Sequence, residues 1–313
     1  MASSTPVISV VICTCNREKY LADALQSLWD QSLRRDKFEI IVVDSSSTDN
    51  TKAICGRFAD TVYIYDPSAG LSRARNTGWR SARGDFVAYL DDDAVASNDW
   101  LELIIKSFSF GSACVGGKVI PIWEVDRPAW LPDSLLWYLS ILEWNLPRHV
   151  LGEREYLNGA NIAFRRNVLE MVGGFREDLG RAYVSNSRLL GGEEIDLQVK
   201  LTSRGQEVVY DPTIIVRHVI LAQRLHKDWF LKRAFWQGVT DAVGENLSWG
   251  DWVSELLRAS AGTTIRTFSD FVPKLFSHDE GTRFKGQCDQ AARMGYVYGM
   301  CGRFSQFRQV RQT

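Results

Sequence analysis

Three adjacent carboxylates, Asp91, Asp92 and Asp93, end the run "FVAYLDDDAV" at residues 86–95. Like charges that close repel each other, and partial burial raises the cost. Two arrangements are stable: an acidic loop in full contact with water, or a cluster facing a positive partner. A divalent ion suits the second, because hard cations take oxygen ligands, often one or two from protein and the rest from phosphate and water. Asp44 ends another apolar run, "FEIIVVD". A lone carboxylate there either accepts hydrogen bonds from a base or ribose or serves as a turn residue. Glu193 and Glu194 open "GGEEIDLQVKL". The positive end of a helix favours ionised acids in its first turn. The pair therefore reads as ordinary first-turn acids or as a general base, which must be ionised to take a proton. His218 is a lone imidazole ending a third extended run.

These groups need a scaffold that gathers them, and the front half of the chain spells one out. "VISVVICT" (7–14) is β-rich, and "KYLADALQSLW" (19–29) carries Leu21, Leu25 and Leu28 at helical spacing. Strands follow at 38–44, 61–66 and 85–91, with helices at 49–58, 71–82 and 98–108, the last opened by Asn98 or Asp99 as a cap. Strand and helix in alternation predict a mostly parallel α/β sheet covered on both faces. Ligands of such sheets bind beyond the carboxyl ends of the strands, where Thr14, Asp44, Asp66 and Asp91–Asp93 fall. From residue 121 the pattern loosens into the aromatic, Pro-punctuated "PIWEVDRPAWLPDSLLWYLSILEWNLP". A Gly-rich turn with a short helix at 155–175, a helix at 191–205 stopped by Gly205, and an extended run at 207–220 come next. The remainder reads as helical, with Trp249, Trp252, Val253, Leu256 and Leu257 on one face.

Composition removes several classes. A net charge of −1 over 313 residues gives no case for nucleic acid. The 13 Lys/Arg against 9 Asp/Glu from residue 222 onward make the tail mildly basic. The six cysteines lack zinc-ligand spacing and read as free thiols of a reducing compartment. The N-terminal apolar stretch reads as a strand, not a signal peptide, and no apolar run reaches the length of a spanning helix. A cytoplasmic protein, at most peripheral on a membrane surface, is the expectation. No G-x-G-x-x-G follows the first strand, so there is no dinucleotide fingerprint. "GSACVGGKV" (111–119) has the wrong spacing for a phosphate loop.

Taken in order, "VISVVICTCNREKYLADALQSL", "FEIIVVDSSSTDNT", "GLSRARNTGWRSARGDFVAYLDDD", "NGANIAFRR…GGF" and "GGEEIDLQVKL" resemble the inverting family 2 glycosyltransferases of the GT-A fold, bacterial polysaccharide type, over residues 7–220. The resemblance implies a catalytic domain over 1–221, with a nucleotide-sugar half to about 120 and an acceptor half beyond it, and a helical extension over 222–313. It implies that Thr14, Asn16 and Arg17 contact the nucleotide, that Asp44 reads the base, and that Arg73, Arg75 and Asn76 line the donor pocket. Asp91 and Asp92 lie near ribose or sugar. Asp93, with His218, holds Mn²⁺ or Mg²⁺. Asn158, Gly159 and Asn161 face donor sugar and acceptor. Glu194 is the base, with Glu193 second, and Asp196 is a structural partner. The donor is a nucleotide sugar, UDP being commonest in the family, and the acceptor a saccharide or lipid-linked saccharide.

The chemistry fits these residue types. A nucleoside diphosphate leaves once its developing charge is neutralised, and an acceptor hydroxyl attacks once a carboxylate takes its proton. Direct attack inverts the anomeric centre with one base, whereas a hydrolase needs two carboxylates at a set separation. Two departures stand out: "DSSSTD" replaces the family's acidic-Gly turn, and "QRLHKDW" (223–229) is not the Q-x-x-R-W of processive synthases. A non-catalytic nucleotide-sugar binder and a sugar nucleotidyltransferase are the alternatives on the same sheet. In the tail, Trp229, Lys232, Arg233 and Trp236 either contact acceptor or an anionic membrane, or pack helix on helix.

Overall fold

The structure is a computed structural model that describes residues 5–68, 70–180, 189–244, 251, 254 and 277–310, with side chains as far as 302. The stripe from Trp249 to Leu257 lies outside the described residues. The chain forms two compact units. The first takes Met1–Ile122, Ser140–Ser185 and Glu193–Ile220; the second takes Trp123–Leu139, Asn186–Gly192 and Leu221–Thr313.

In the first unit the alternating front half runs β1 (Ile8–Thr14), α1 (Glu18–Trp29), β2 (Phe38–Asp44), α2 (Thr51–Cys55), β3 (Thr61–Tyr65), α3 (Leu71–Ser81) and β4 (Phe86–Leu90). β1 lies between β2 and β4, and β3 flanks β2, all parallel. Both faces of these strands are covered, which is why they are near-continuous apolar runs. Val10, Ile12, Ile40 and Val42 point into one core layer with Leu21, Leu25 and Leu28 of α1. Val11, Ile41 and Val43 point into the other with Ala74 and Trp79 of α3. The period of two along each strand thus sorts side chains to opposite faces.

The second half of the unit adds β5 (Ala94–Ala96), α4 (Trp100–Phe108), β6 (Cys114–Trp123), β7 (His149–Val150), β8 (Asn161–Arg165), α5 (Arg166–Val172), α6 (Glu193–Thr202) and β9 (Val208–Ile220). The sheet order is β3-β2-β1-β4-β8-β6-β9-β5, with β7 on β9. Parallel pairing stops at β4: β8 joins β4 antiparallel, as do β6 to β8 and β5 to β9. The sheet is therefore mixed, because these strands do not arrive by a strand–helix–strand crossover. Two local expectations also change. α2 is a five-residue helix ending at Gly56. α4 starts without a side-chain cap from Asp99. Asn98 instead donates to the carbonyl of Asp30, and the open N–H of Leu101 donates to Gln31 Oε1 at 3.0 Å.

The second unit contains a 3₁₀ turn at Asp133–Leu139 and the helices α7 (Lys227–Gly244) and α8 (Glu280–Val310). α7 and α8 approach closely: a Cβ at Gly238 or Gly295 would overlap backbone of Ala292 or Phe235 on the facing helix. Trp130, Phe230 and Phe284 stack edge to face with centroids 4.9–6.2 Å apart. Phe230 is buried; Trp229 and Trp236 are half-buried and Lys232 is exposed. Among the described residues no helix is long and apolar enough to cross a membrane.

One buried polar knot ties the first unit together. Asn161 is fully buried; its Nδ2 donates to Lys118 O (2.8 Å) and Ile214 O (3.0 Å), and its Oδ1 accepts from Trp100 Nε1 (2.9 Å). Every side-chain hydrogen-bonding group of Asn161 is thus turned to the core. Asn161→Ala leaves one donor and two acceptors buried and unpaired, and should cost about 3 kcal/mol of stability. Urea unfolding should show this as a lower midpoint with an unchanged slope; an unchanged midpoint would contradict the account.

Candidate active site

β1 and β4 are sheet neighbours, so Thr14 at the end of one meets the acidic triplet at the end of the other. Thr14 is buried beside Asp92, whose carboxylate form it favours. Arg17, in the turn before α1, reaches both Asp92 Oδ1 and Asp93 Oδ2 at 3.8 Å. Burial first, and the charge of Asp93 second, push the Asp92 carboxyl up to about 7, against the opposing pull of Arg17 and Thr14. The opening repulsion is thus present in the folded chain and partly offset by one guanidinium.

A second partner comes from the far end of the sheet. β9 pairs antiparallel with β5, placing His218 opposite Ala94. Val219 N–H donates to Asp93 O at 2.9 Å, and His218 Nε2 sits 2.9 Å from Asp93 Oδ1. Ligand atoms of Asp91, Asp93 and His218 all lie within 4.8 Å of one another. His218 Nδ1 is buried without a hydrogen-bond partner. Two carboxylates and an imidazole can hold a divalent ion, and the nitrogen donor suits Mn²⁺ better than the oxygen-preferring Mg²⁺. Asp91 lies in this cluster; Asp92 turns to Thr14 and Arg17.

Across the site, α3 supplies Arg75 and the first turn of α6 supplies Glu193. Arg75 Nη1 donates to Glu193 Oε1, and Nη2 lies 3.9 Å from Asp91 Oδ1. Arg75 and Glu193 are 4% and 2% exposed, so this is a buried pair. The guanidinium faces the rings of Phe175 (5.5 Å) and Tyr89 (5.9 Å), and Tyr89 Oη donates to the Arg75 carbonyl at 3.2 Å. Burial works against the Arg75 charge, but Glu193, Glu194 and Asp91 outweigh it and hold its pKa well above the usual arginine range. Glu193 Oε2 is buried without a hydrogen-bond partner. Glu194, one position on, is half-buried. Asp196 pairs with Lys200 at 2.8 Å and Arg176 at 3.4 Å.

The other expected residues are placed as follows. Asp44 is 1% exposed; Oδ1 accepts from Ser47 N–H at 2.9 Å and Oδ2 from Tyr63 Oη at 2.6 Å. Burial and this bond raise the Tyr63 pKa. Asn16 adopts φ 54° and receives Thr48 N–H at 2.8 Å, which ties the loop after β1 to the loop after β2. Arg73 is half-exposed, 3.7 Å from Asp66. Asn76 is buried and spent on Phe175 and Trp79. Asn158 caps its own turn through Ala160 N–H at 3.0 Å. The next residue, Gly159, abuts Arg75: an added Cβ would lie 2.5 Å from Nη2. The rim therefore gathers Thr14, Arg17, Asp91–Asp93 and His218, with Arg75 and Glu193 beside them. It leaves Asn76 and Asn161 in the core. Tyr63 escaped the sequence reading; its signal was an aromatic residue inside the strand that lines up beside β2, two positions off the register partner of Asp44.

Comparison with known proteins gives the family and the fold. Residues 9–173, more than half of the chain, match the family described as Glycosyl transferase family 2. The chain is 28% identical over 245 residues to a glucosyl-dolichyl phosphate glucuronosyltransferase of Haloferax volcanii, covering 75% of this chain and 76% of that protein. It is 27% identical over 248 residues to the succinoglycan biosynthesis protein ExoM of Rhizobium meliloti, covering 77% and 75%. Among solved structures it resembles a mannosyltransferase from Pyrobaculum calidifontis in complex with GDP-Man and Mn²⁺, with a TM-score of 0.61, 19% identity, and coverage of 94% and 87%. S. aureus TarS 1-349 in complex with UDP-GlcNAc gives 0.55 at 17% identity, covering 96% and 91%. A mixed sheet that delivers an acidic rim, a histidine and a pair of glutamates to one edge is, in this chain, the GT-A fold of a family 2 glycosyltransferase.

Proposed function

We propose that this glycosyltransferase is metal-dependent and inverting, moving one sugar per encounter from a nucleoside diphosphate sugar to an acceptor hydroxyl in glycan assembly. The observation that carries the reading is the convergence of Asp91, Asp93 and His218 at the sheet rim. Asp91, Asp93 and His218 would hold Mn²⁺ or Mg²⁺, which when bound offsets the negative charge of the diphosphate. Thr14, Arg17, Asp92 and Arg73 line the donor side, and UDP is the favoured nucleotide. Solved neighbours carry both GDP-Man and UDP-GlcNAc, so the base rests on the loops around Asp44. Asn158 and Gly159 form the turn beside the donor sugar. A saccharide on a lipid phosphate is the favoured acceptor, by analogy with the dolichyl phosphate substrate in the name of the archaeal relative.

Glu194 acts as the base. It sits in the first turn of α6, where the helix dipole favours the carboxylate form. Its carboxylate takes the acceptor hydroxyl proton as that oxygen bonds the anomeric carbon. The bond from that carbon to the diphosphate oxygen breaks on the opposite face, so the configuration inverts. The catalytic part spans residues 1–221, followed by a helical extension from 222.

Two measurements test this. Glu194→Gln should lower kcat by 10³-fold or more, on the order of a lost general base, while donor binding by calorimetry persists; full transfer by the variant would overturn the assignment. A panel of nucleotide sugars should raise Tm only with Mn²⁺ present, because ligands that bind the native state stabilise it by mass action. That shift should vanish in Asp93→Ala, and a metal-independent shift would refute the metal's role.

A further inference from the structure

The Tyr63 phenol has one hydrogen to give, and it goes to Asp44 Oδ2 at 2.6 Å. Hydrogen bonds of that length from a hydroxyl to a carboxylate are charge-assisted and stronger than neutral ones. We infer that Tyr63 is a positioning residue for nucleotide choice: its hydroxyl fixes the Asp44 carboxylate in one orientation and so sets how sharply the base is discriminated. The inference rests on the proposed donor site and deepens it, since it adds a residue behind the carboxylate that faces the base.

Three observations carry it. Strand parity puts the two side chains on one face: Tyr63 is the register partner of Val42, and Asp44 stands two positions beyond Val42 on β2. The other carboxylate oxygen is also held. Asp44 Oδ1 accepts from Ser47 N–H at 2.9 Å, and Ser47 Oγ accepts from Asn16 N–H at 2.8 Å, which anchors that contact to the loop after β1. With Asp44 1% exposed and both oxygens engaged, the carboxylate is held in a single rotamer. Tyr63 is itself seated. Its ring packs against the first core layer, with Lys52 Nζ 5.9 Å from its centroid. Burial, and then the bond to Asp44, raise its pKa, so the hydroxyl stays protonated and remains a donor. A phenylalanine would fill the same space; only the bond to Asp44 needs the oxygen.

An ionised carboxylate accepts hydrogen bonds and donates none, and each oxygen can accept more than one. Asp44 therefore keeps acceptor positions beyond those used by Ser47 and Tyr63, and these suit a base edge that presents N–H. A carboxylate free to turn would adapt to several edges and lose rotamer freedom on binding each. One clamped in advance favours the edge that fits it and loses little. Tyr63 acts through Asp44, because its only hydrogen is already given. The effect should also be local. β1 stands between β2 and β4, so Asp44 and the acidic triplet are two strand spacings apart, about 10 Å. A fault at Asp44 should disturb base preference and leave diphosphate binding alone.

The test measures binding by calorimetry on the full chain with Mn²⁺ present. The probes are UDP, GDP and inorganic pyrophosphate, the last having no base. Tyr63→Phe should weaken the tighter-bound of UDP and GDP about tenfold, the scale of one hydrogen bond to a charged group. It should shrink the preference between the two by a similar factor and leave pyrophosphate within about twofold. In transfer, KM for the donor should rise with kcat unchanged. A merely structural role would weaken all three probes alike and would overturn the inference, as would an unchanged preference between UDP and GDP. In an Asp44→Asn background, adding Tyr63→Phe should alter affinity for that same nucleotide by no more than about twofold, because the hydroxyl works through Asp44; a further tenfold loss would show that it works another way. This comparison also decides the matter should Tyr63→Phe alone be recovered unfolded. A hydroxyl needed for folding in both backgrounds is structural, and the inference falls. An unaltered chain that binds none of the three probes would refute the proposed function itself, a result distinct from any of these.

Discussion

Mutual repulsion within Asp91–Asp93 is the constraint around which the first unit is arranged. Three carboxylates on consecutive residues, two of them buried, need compensating neighbours. Arg17 reaches Asp92 and Asp93, Arg75 reaches Asp91, and His218 meets Asp93. None of these partners is local to the triplet. Arg17 comes with the turn after β1, Arg75 with α3, and His218 with the last strand. Burial, and then the charge of Asp93, still push the Asp92 carboxyl up to about 7 against the pull of Arg17.

Topology makes that assembly possible. Parallel strands end on the same edge, so β1, β2 and β4 bring Thr14, Asp44 and the triplet to one side. Parallel pairing alone would not bring His218 there. β9 runs the other way along β5, which sets the imidazole directly opposite Ala94, one residue past Asp93. The mixed character of the sheet therefore belongs to the site as much as to the fold. The core knot at Asn161 fixes Trp100, Lys118 and Ile214 together, and so holds β6, β8 and β9 in register beneath the rim.

Much of this was legible in the sequence, for identifiable reasons. Strands β1, β2 and β4 are apolar runs, β2 ending in Asp44 and β4 followed by Asp91, and α1 has its leucines at helical spacing, so local pattern alone finds them. The antiparallel half was not legible, because short strands such as β5 and β7 take their partners from tertiary pairing. The α4 start was misread because Gln31 supplies the hydrogen bond that Asp99 was expected to give. Within the site, residue type pointed to the acidic cluster, and the family resemblance supplied His218 and Glu194. It also suggested Asn76 and Asn161 as ligand contacts, yet their side chains are spent inside the protein. An asparagine's hydrogen-bonding capacity is visible in a sequence; the direction in which it is used is not. The Arg75–Glu193 contact spans 118 residues, beyond any local signal.

That contact also bears on why a glutamate pair is tolerable at one helix start. Successive helical residues point about 100° apart, so Glu193 and Glu194 cannot share an environment. One faces inward, against Arg75. The other lies half-buried at the positive end of the helix, and its charge also acts on Arg75. The ordering matters for chemistry, because a proton acceptor must gain and lose a proton while the protein around it stays put. A carboxylate whose charge is required by a buried guanidinium cannot do so without disturbing α3, α6 and Asp91 together. Role follows from environment, and the two residues are divided by a single turn of direction along the backbone.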